Sequence, residues 1–171
     1  HYGASGHQPG GRVNFVALGS SSMSNLGNDY YVQNFYDIPS YKKALDQNLL
    51  PSFRGLKLNE DDKIRQHATQ QIRSYFKIDY KNFSDQFGIN AKEYFANEIK
   101  YMSEMKKDGL VEFNDDGIFL TEIGKDFTQN IMNVFDKYDP PDKSYKDRLE
   151  TVKKAKESQA AVQEKIVSIP N

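Results

Sequence analysis

The sequence predicts a mainly α fold: a winged-helix-like helical domain with a β-hairpin wing, preceded by an isolated strand. Three observations predict it. Apolar residues recur at four-residue spacing from Ile64 to Phe76, and again in Tyr94, Phe95, Ile99 and Met102, the pattern of amphipathic helices. Leu110–Phe113 and Ile118–Thr121 flank Asn114-Asp115-Asp116-Gly117, a hairpin signal. A further apolar stripe, Ile123, Phe127, Ile131, Val134 and Tyr138, follows at once.

The elements are justified in order. Residues 1–12, HYGASGHQPGGR, are glycine-rich without apolar periodicity and read as a flexible lead. VNFVAL (13–18) is a short apolar run that ends in the small residues GSSSMSNLG, a strand entering a loop. One strand cannot satisfy its own backbone groups. It is therefore expected to be orphaned: disordered, packed on the core or paired with another molecule. After the aromatic-rich 28–38, Pro39-Ser40 opens a short helix that closes before Pro51. Phe53–Leu58 reads as a connector or short strand.

Asn59 can cap a helix whose first turn, Glu60-Asp61-Asp62, places acids where the helix dipole favours them. A short helix near 80–87 stops at Gly88. Asn90 and Glu93 have capping-box spacing and open a third helix that ends at Asp108-Gly109. The hairpin leads into a last core helix over roughly 122–138, weakened by Gly124 by about 1 kcal/mol relative to alanine. Pro140-Pro141 interrupts the chain. Residues 142–171 hold seven Lys/Arg and five Asp/Glu around a thin apolar stripe, a charged helical extension lying weakly on a neighbour or partner. The resulting division is a lead (1–12), a connector (13–38), a helical domain (39–139) and an extension (140–171).

Composition excludes several classes of function. The chain of 171 residues has a formal charge of −1 and a pI near 6.4, so no basic field gathers nucleic acid. Residues 59–137 carry eleven Lys/Arg against fifteen Asp/Glu, net −4, and the hairpin tip is acidic. Phosphate neutralisation supplies most DNA affinity, so the wing argues for a protein-facing surface. There is no cysteine, hence no disulfide and no thiolate-held metal. No apolar run approaches membrane-helix length, and the expected location is cytoplasmic. His1, His7 and His67 lack metal-ligand spacing, and GSSSMSNLG lacks the ending of a phosphate loop. With His1 in first place, the sequence reads as a piece of something longer. The residues alone lead to an interaction domain with no catalytic site.

Several stretches go further. RGLKL (54–58), EDDKIRQ (60–66), FKIDYKNFSDQFGINAKEYFANEI (76–99), KDGLVEFNDDGIFLTEIGKDF (107–127) and NIMNVFDKY (130–138) resemble the C-terminal part of the oxygen-independent coproporphyrinogen III oxidase family, and VALGSSSMSNLGNDYYVQN (16–34) is similar to the segment joining that family's barrel to its C-terminal domain. The resemblance covers about 16–138. It implies a parent radical S-adenosylmethionine enzyme of haem synthesis that decarboxylates two propionates to vinyl groups, giving protoporphyrinogen IX. The implied cofactors are S-adenosylmethionine and a [4Fe–4S] cluster, the latter held by a CxxxCxxC motif absent here. This piece alone would bind neither cofactor and would be inactive, with the catalytic barrel of the parent chain and a tetrapyrrole as partners.

The resemblance places Gly19, Ser20, Ser22 and Met23 beside the S-adenosylmethionine pocket. Arg54 and Arg65 match family arginines that would meet substrate carboxylates; an ion pair with Glu60 or Asp61 is the alternative. Gln129 stands where the family commonly has arginine, and only Asn14-Phe15 echoes the family's stretch before the last barrel strand. Two other readings stay open: a stand-alone winged-helix module that binds protein or nucleic acid, and a haem-chaperone relative of the oxidase.

Overall fold

The computed structural model describes residues 14–27, 29–138 and 145–167, with side chains to 158. The lead 1–12 and Pro140-Pro141 lie outside them. The chain divides into two compact units, 1–70 and 71–171.

The first unit is built on a four-stranded antiparallel sheet, in order β1 (Asn14–Phe15), β2 (Met23–Leu26), β3 (Tyr30–Asn34), β4 (Ser52–Lys57). The isolated strand is thereby corrected. Asn14 faces Leu26 and Phe15 faces Asn25, so its partner is the far end of the loop that follows it. The Asn14 side chain also accepts from the Gly27 N–H at 2.6 Å. Helix α1 (Ile38–Asp46) joins β3 to β4. The Asp37 carboxylate caps it by accepting from the Ser40 N–H at 2.8 Å, and Pro39 sits in its first turn.

Helix α2 (Glu60–Tyr75) starts as the sequence predicts. Asn59 and Asp62 cap each other: the Asp62 N–H donates to Asn59 Oδ1 at 2.9 Å and the Asn59 N–H to Asp62 Oδ2 at 3.0 Å. Lys63 reaches both Asp29 (2.8 Å) and Glu60 (2.9 Å). These hydrogen bonds raise its ammonium above the usual lysine range.

The second unit holds a three-stranded sheet, order β5 (Lys77–Asp79), β7 (Gly117–Leu120), β6 (Val111–Phe113). Between β5 and β6 come α3 (Tyr80–Phe87), α4 (Ala91–Tyr94) and α5 (Ala96–Lys107). The predicted third helix therefore breaks at Phe95, whose ring is fully buried. Phe95 meets Phe83 and Phe135 edge-on, at 5.6 and 5.1 Å between centroids, and the kink sets it between them. Buried Gln71 clamps the start of α3: its Oε1 accepts from the Asp79 N–H and its Nε2 donates to Asn82 Oδ1, both at 2.8 Å.

Two glycines mean something other than the sequence reading gave them. The hairpin turns on Asn114, whose Oδ1 accepts from the Asp116 and Gly117 N–H groups. Gly117 belongs to β7, and a Cβ there would lie 1.9 Å from the Ile78 carbonyl oxygen. Gly124 likewise leaves room for the Leu110 carbonyl oxygen, 1.9 Å from its would-be Cβ. Gly124 is thus required by close packing, and the predicted helix over 122–138 becomes a 3-10 turn (Gly124–Phe127) followed by α6 (Thr128–Asn133). Tyr138 is exposed instead of joining the apolar side.

The extension is a helix, α7 (Tyr145–Val167), held more firmly than its composition suggests. Tyr145 and Leu149 are buried. The Tyr145 hydroxyl donates to Asp108 Oδ2 at 2.9 Å, and its ring meets Phe127. Lys156 donates to the Glu122 carbonyl and pairs with Asp126, at 2.7 and 2.8 Å. Antiparallel sheets thus stand beside the helices that the sequence emphasised.

Candidate functional site

The predicted site residues fall in the first unit, all but Arg65 on two neighbouring features of its sheet. The first is the loop before β2. Gly19 adopts φ 104° and Ser21 φ 61°, the latter uncommon for a residue with a Cβ. The loop is tied down internally. The Gly19 N–H donates to the Tyr41 hydroxyl at 3.1 Å, and its carbonyl accepts from Ser22 Oγ at 2.7 Å and Asn34 Nδ2 at 3.0 Å. Asn34 Nδ2 also donates to Ser22 Oγ at 3.0 Å, and the Ser21 N–H to the Phe35 carbonyl at 2.9 Å. Gly19 and Ser22 therefore use their polar groups inside the loop. Ser20 and Met23 are exposed, together with Val16 and Leu18, so the loop offers a ligand a largely apolar surface.

The second feature is the row Met23–Gln33–Arg54, in register across β2, β3 and β4. Alternation along strands puts Tyr31 and Leu56 on the same face. Together with Gly55 these residues line a half-open depression of about 370 Å³. Arg54 Nε donates to Gln33 Oε1 at 2.8 Å. Among the described residues Arg54 makes no ion pair, so its charge faces only a neutral partner.

Arg65 differs. Its Nε lies 3.0 and 3.1 Å from the two Asp61 carboxylate oxygens, one helical turn back, so the ion-pair alternative is present in the structure. The structure thus brings Met23 and Arg54 to one depression and sets Gly19, Ser20 and Ser22 in the adjoining loop. Sequence reasoning missed Gln33, Asn34 and Tyr41, because only strand register and the return of α1 bring them to this loop.

The cofactor donor set is also informative. A thiolate-held cluster needs cysteines, and the chain has none; among the described residues no group of three His, Asp or Glu could hold a metal ion. Among the described residues no helix is long and apolar enough to cross a membrane.

Sequence comparison follows the same outline. Residues 58–127 match the HemN C-terminal domain family. The matched segment runs from just before α2 through the 3-10 turn. The chain is 33% identical over 123 residues to the oxygen-independent coproporphyrinogen III oxidase of Helicobacter pylori, covering 72% of this chain and 27% of the relative. It is 34% identical over 135 residues to that of Pseudomonas aeruginosa, covering 79% and 29%. Among solved structures it is similar to the coproporphyrinogen III oxidase (HemN) of Escherichia coli, a radical SAM enzyme, with a TM-score of 0.72 and 30% identity over 81% of this chain and 32% of that one. The chain thus spans less than a third of the length of each of these three proteins.

Proposed function

We propose that this chain is the C-terminal, non-catalytic part of an oxygen-independent coproporphyrinogen III oxidase of haem biosynthesis. In this reading it covers substrate and cofactor beside a catalytic barrel carried elsewhere in the parent polypeptide. The observation that supports it best is the agreement of sequence and fold with the Escherichia coli enzyme over 81% of the chain. S-adenosylmethionine and its iron–sulfur cluster would supply the radical that starts decarboxylation of two propionates to vinyl groups. This chain's own residues would bind and orient. Ser20 and Met23 offer the exposed surface of the loop to the cofactor, and Gly19 and Ser22 keep that surface in shape. Arg54, charged and without a carboxylate neighbour among the described residues, receives a propionate, while Tyr31 and Leu56 meet the apolar ring. Arg65, already paired with Asp61, takes a propionate only by exchanging that partner.

The finer labels belong to the same proposal. In this reading α3, α5 and the β6–β7 hairpin make up a winged-helix-like domain, with an acidic tip that suits a protein neighbour better than DNA. The proposed compartment is the cytoplasm. The deciding experiment is anaerobic turnover of coproporphyrinogen III. The full-length polypeptide with its cluster reconstituted is expected to form protoporphyrinogen IX, and the 171-residue chain alone is expected to form none. Turnover by the chain alone would sink the proposal. A salt-sensitive DNA shift would favour a nucleic-acid module, and a Soret shift on haem addition that is lost in His67→Ala would favour a haem chaperone.

A further inference from the structure

The pairing of β3 with β4 slips at one place: Gln33 faces Arg54, but Asn34 faces Ser52. Such bulges bend a strand and re-aim its side chains, often beside active sites. Here two consecutive amide side chains reach the same loop. Asn34 holds Gly19 and Ser22, as described. Gln33 Nε2 donates to the carbonyl of Ser21 at 3.3 Å, while its Oε1 accepts from Arg54 Nε at 2.8 Å. Ser21 is the loop's non-glycine residue in the left-handed region, a conformation that persists where neighbours over-determine it.

We propose that Gln33 is a positioning residue that ties the Gly19–Ser22 loop to Arg54 and holds the guanidinium by Nε, leaving its two terminal nitrogens for a carboxylate-bearing ligand. The proposal rests on the reading of Arg54 as a carboxylate-binding residue. Three observations support it. A neutral amide fixes the guanidinium plane without offsetting its charge, unlike the Asp61 carboxylate on Arg65. Among the described residues only one of the five N–H donors of Arg54 is engaged. The depression around it is lined by Met23, Tyr31 and Leu56, which suits a ligand with an apolar body and a charged arm. An ordered guanidinium also loses less freedom when the ligand arrives.

The test uses the full-length polypeptide that carries this chain, with coproporphyrinogen III as substrate. Gln33→Leu is expected to raise KM roughly fivefold with kcat within about twofold, the effect of one hydrogen bond made before the chemical step. Gln33→Glu, which sets a carboxylate on Arg54, is expected to raise KM further. In an Arg54→Gln background neither change is expected to add anything, since Gln33 acts through Arg54; a merely structural role would add its own increment. A readout independent of turnover is solvent exchange of the Arg54 Nε–H, followed by nitrogen-15 NMR of the 171-residue chain. It is expected to quicken in Gln33→Leu. Unchanged exchange, or a KM effect that persists without Arg54, overturns the proposal and leaves the reading of Arg54 standing. If Arg54→Gln itself leaves KM unchanged, that reading falls and the proposal with it. Should Gln33→Leu fail to fold, Gln33→Met, which keeps the length of the side chain, carries the same cycle.

Discussion

The two units handle their apolar residues in opposite ways. In the second, Phe83, Phe95, Phe127, Phe135, Ile131 and Met102 are fully buried around one core. In the first, every residue of β4 is exposed, and Val16, Leu18, Tyr36, Ile38, Leu50 and Phe53 face outward. Exposed apolar side chains in such number make this unit the candidate for an interaction surface. The second unit thus has what it needs for its own stability. The first leaves many of its apolar side chains uncovered, and the proposed site residues belong to that unit.

Substitutions can break or sharpen this contrast. The largest effect is expected for Phe95→Ala, which removes the ring shared by Phe83 and Phe135 and should cost about 4 kcal/mol in urea unfolding. Phe53→Ala, on the exposed sheet, should cost less than about 1.5 kcal/mol. Equal losses would end the comparison. Next is Gly124→Ala, expected to cost about 3 kcal/mol by driving a methyl group into the Leu110 carbonyl. Its counterpart in the sheet is Gly55→Ala, where the added atom would lie 3.5 Å from the Tyr31 carbonyl oxygen. That change should stay within about 1 kcal/mol of neutral.

A smaller effect concerns α7. Burial, followed by the hydrogen bond to Asp108 and the nearby negative charge, pushes the Tyr145 phenol above its ordinary range. The native state therefore favours the neutral phenol. Its contribution is fully present below the unfolded value, about pH 10, and is lost as pH rises through the higher folded value. Hydrogen exchange in α7 should accelerate on that alkaline limb. Tyr145→Phe should remove the transition at a cost of about 1–2 kcal/mol. The smallest effect belongs to Val16→Ser and Leu18→Ser, each expected within about 0.5 kcal/mol for the isolated chain. If they destabilise it by several times that, their side chains are not the open surface described.

Much of the second unit was legible in the sequence because its signals are local. The Gly88 stop, the Asn90 cap and the Asn114–Gly117 turn each involve residues a few positions apart. What escaped depends on distant neighbours. Gly117 reads as a turn residue until Ile78 is placed against it, and Gly124 reads as a weak helical position until Leu110 is. The strand at Asn14 seemed unpartnered because MSNL carries little strand signal. It pairs all the same, since the tight loop between them returns β2 alongside it. For the site, the sequence could name arginines and a small-residue loop but not their relation. That relation comes from register: Gln33 meets Arg54 only because β3 and β4, separated by α1, align as they do.

The second sheet has a consequence for self-association. Its most apolar strand, β7, lies in the middle, and the two outer strands, β5 and β6, are only three residues long. Short borders give a stray chain little to template on, so intermolecular β-pairing there is disfavoured. Ile118 and Leu120 can therefore stay close to a water-facing hairpin without seeding fibrils.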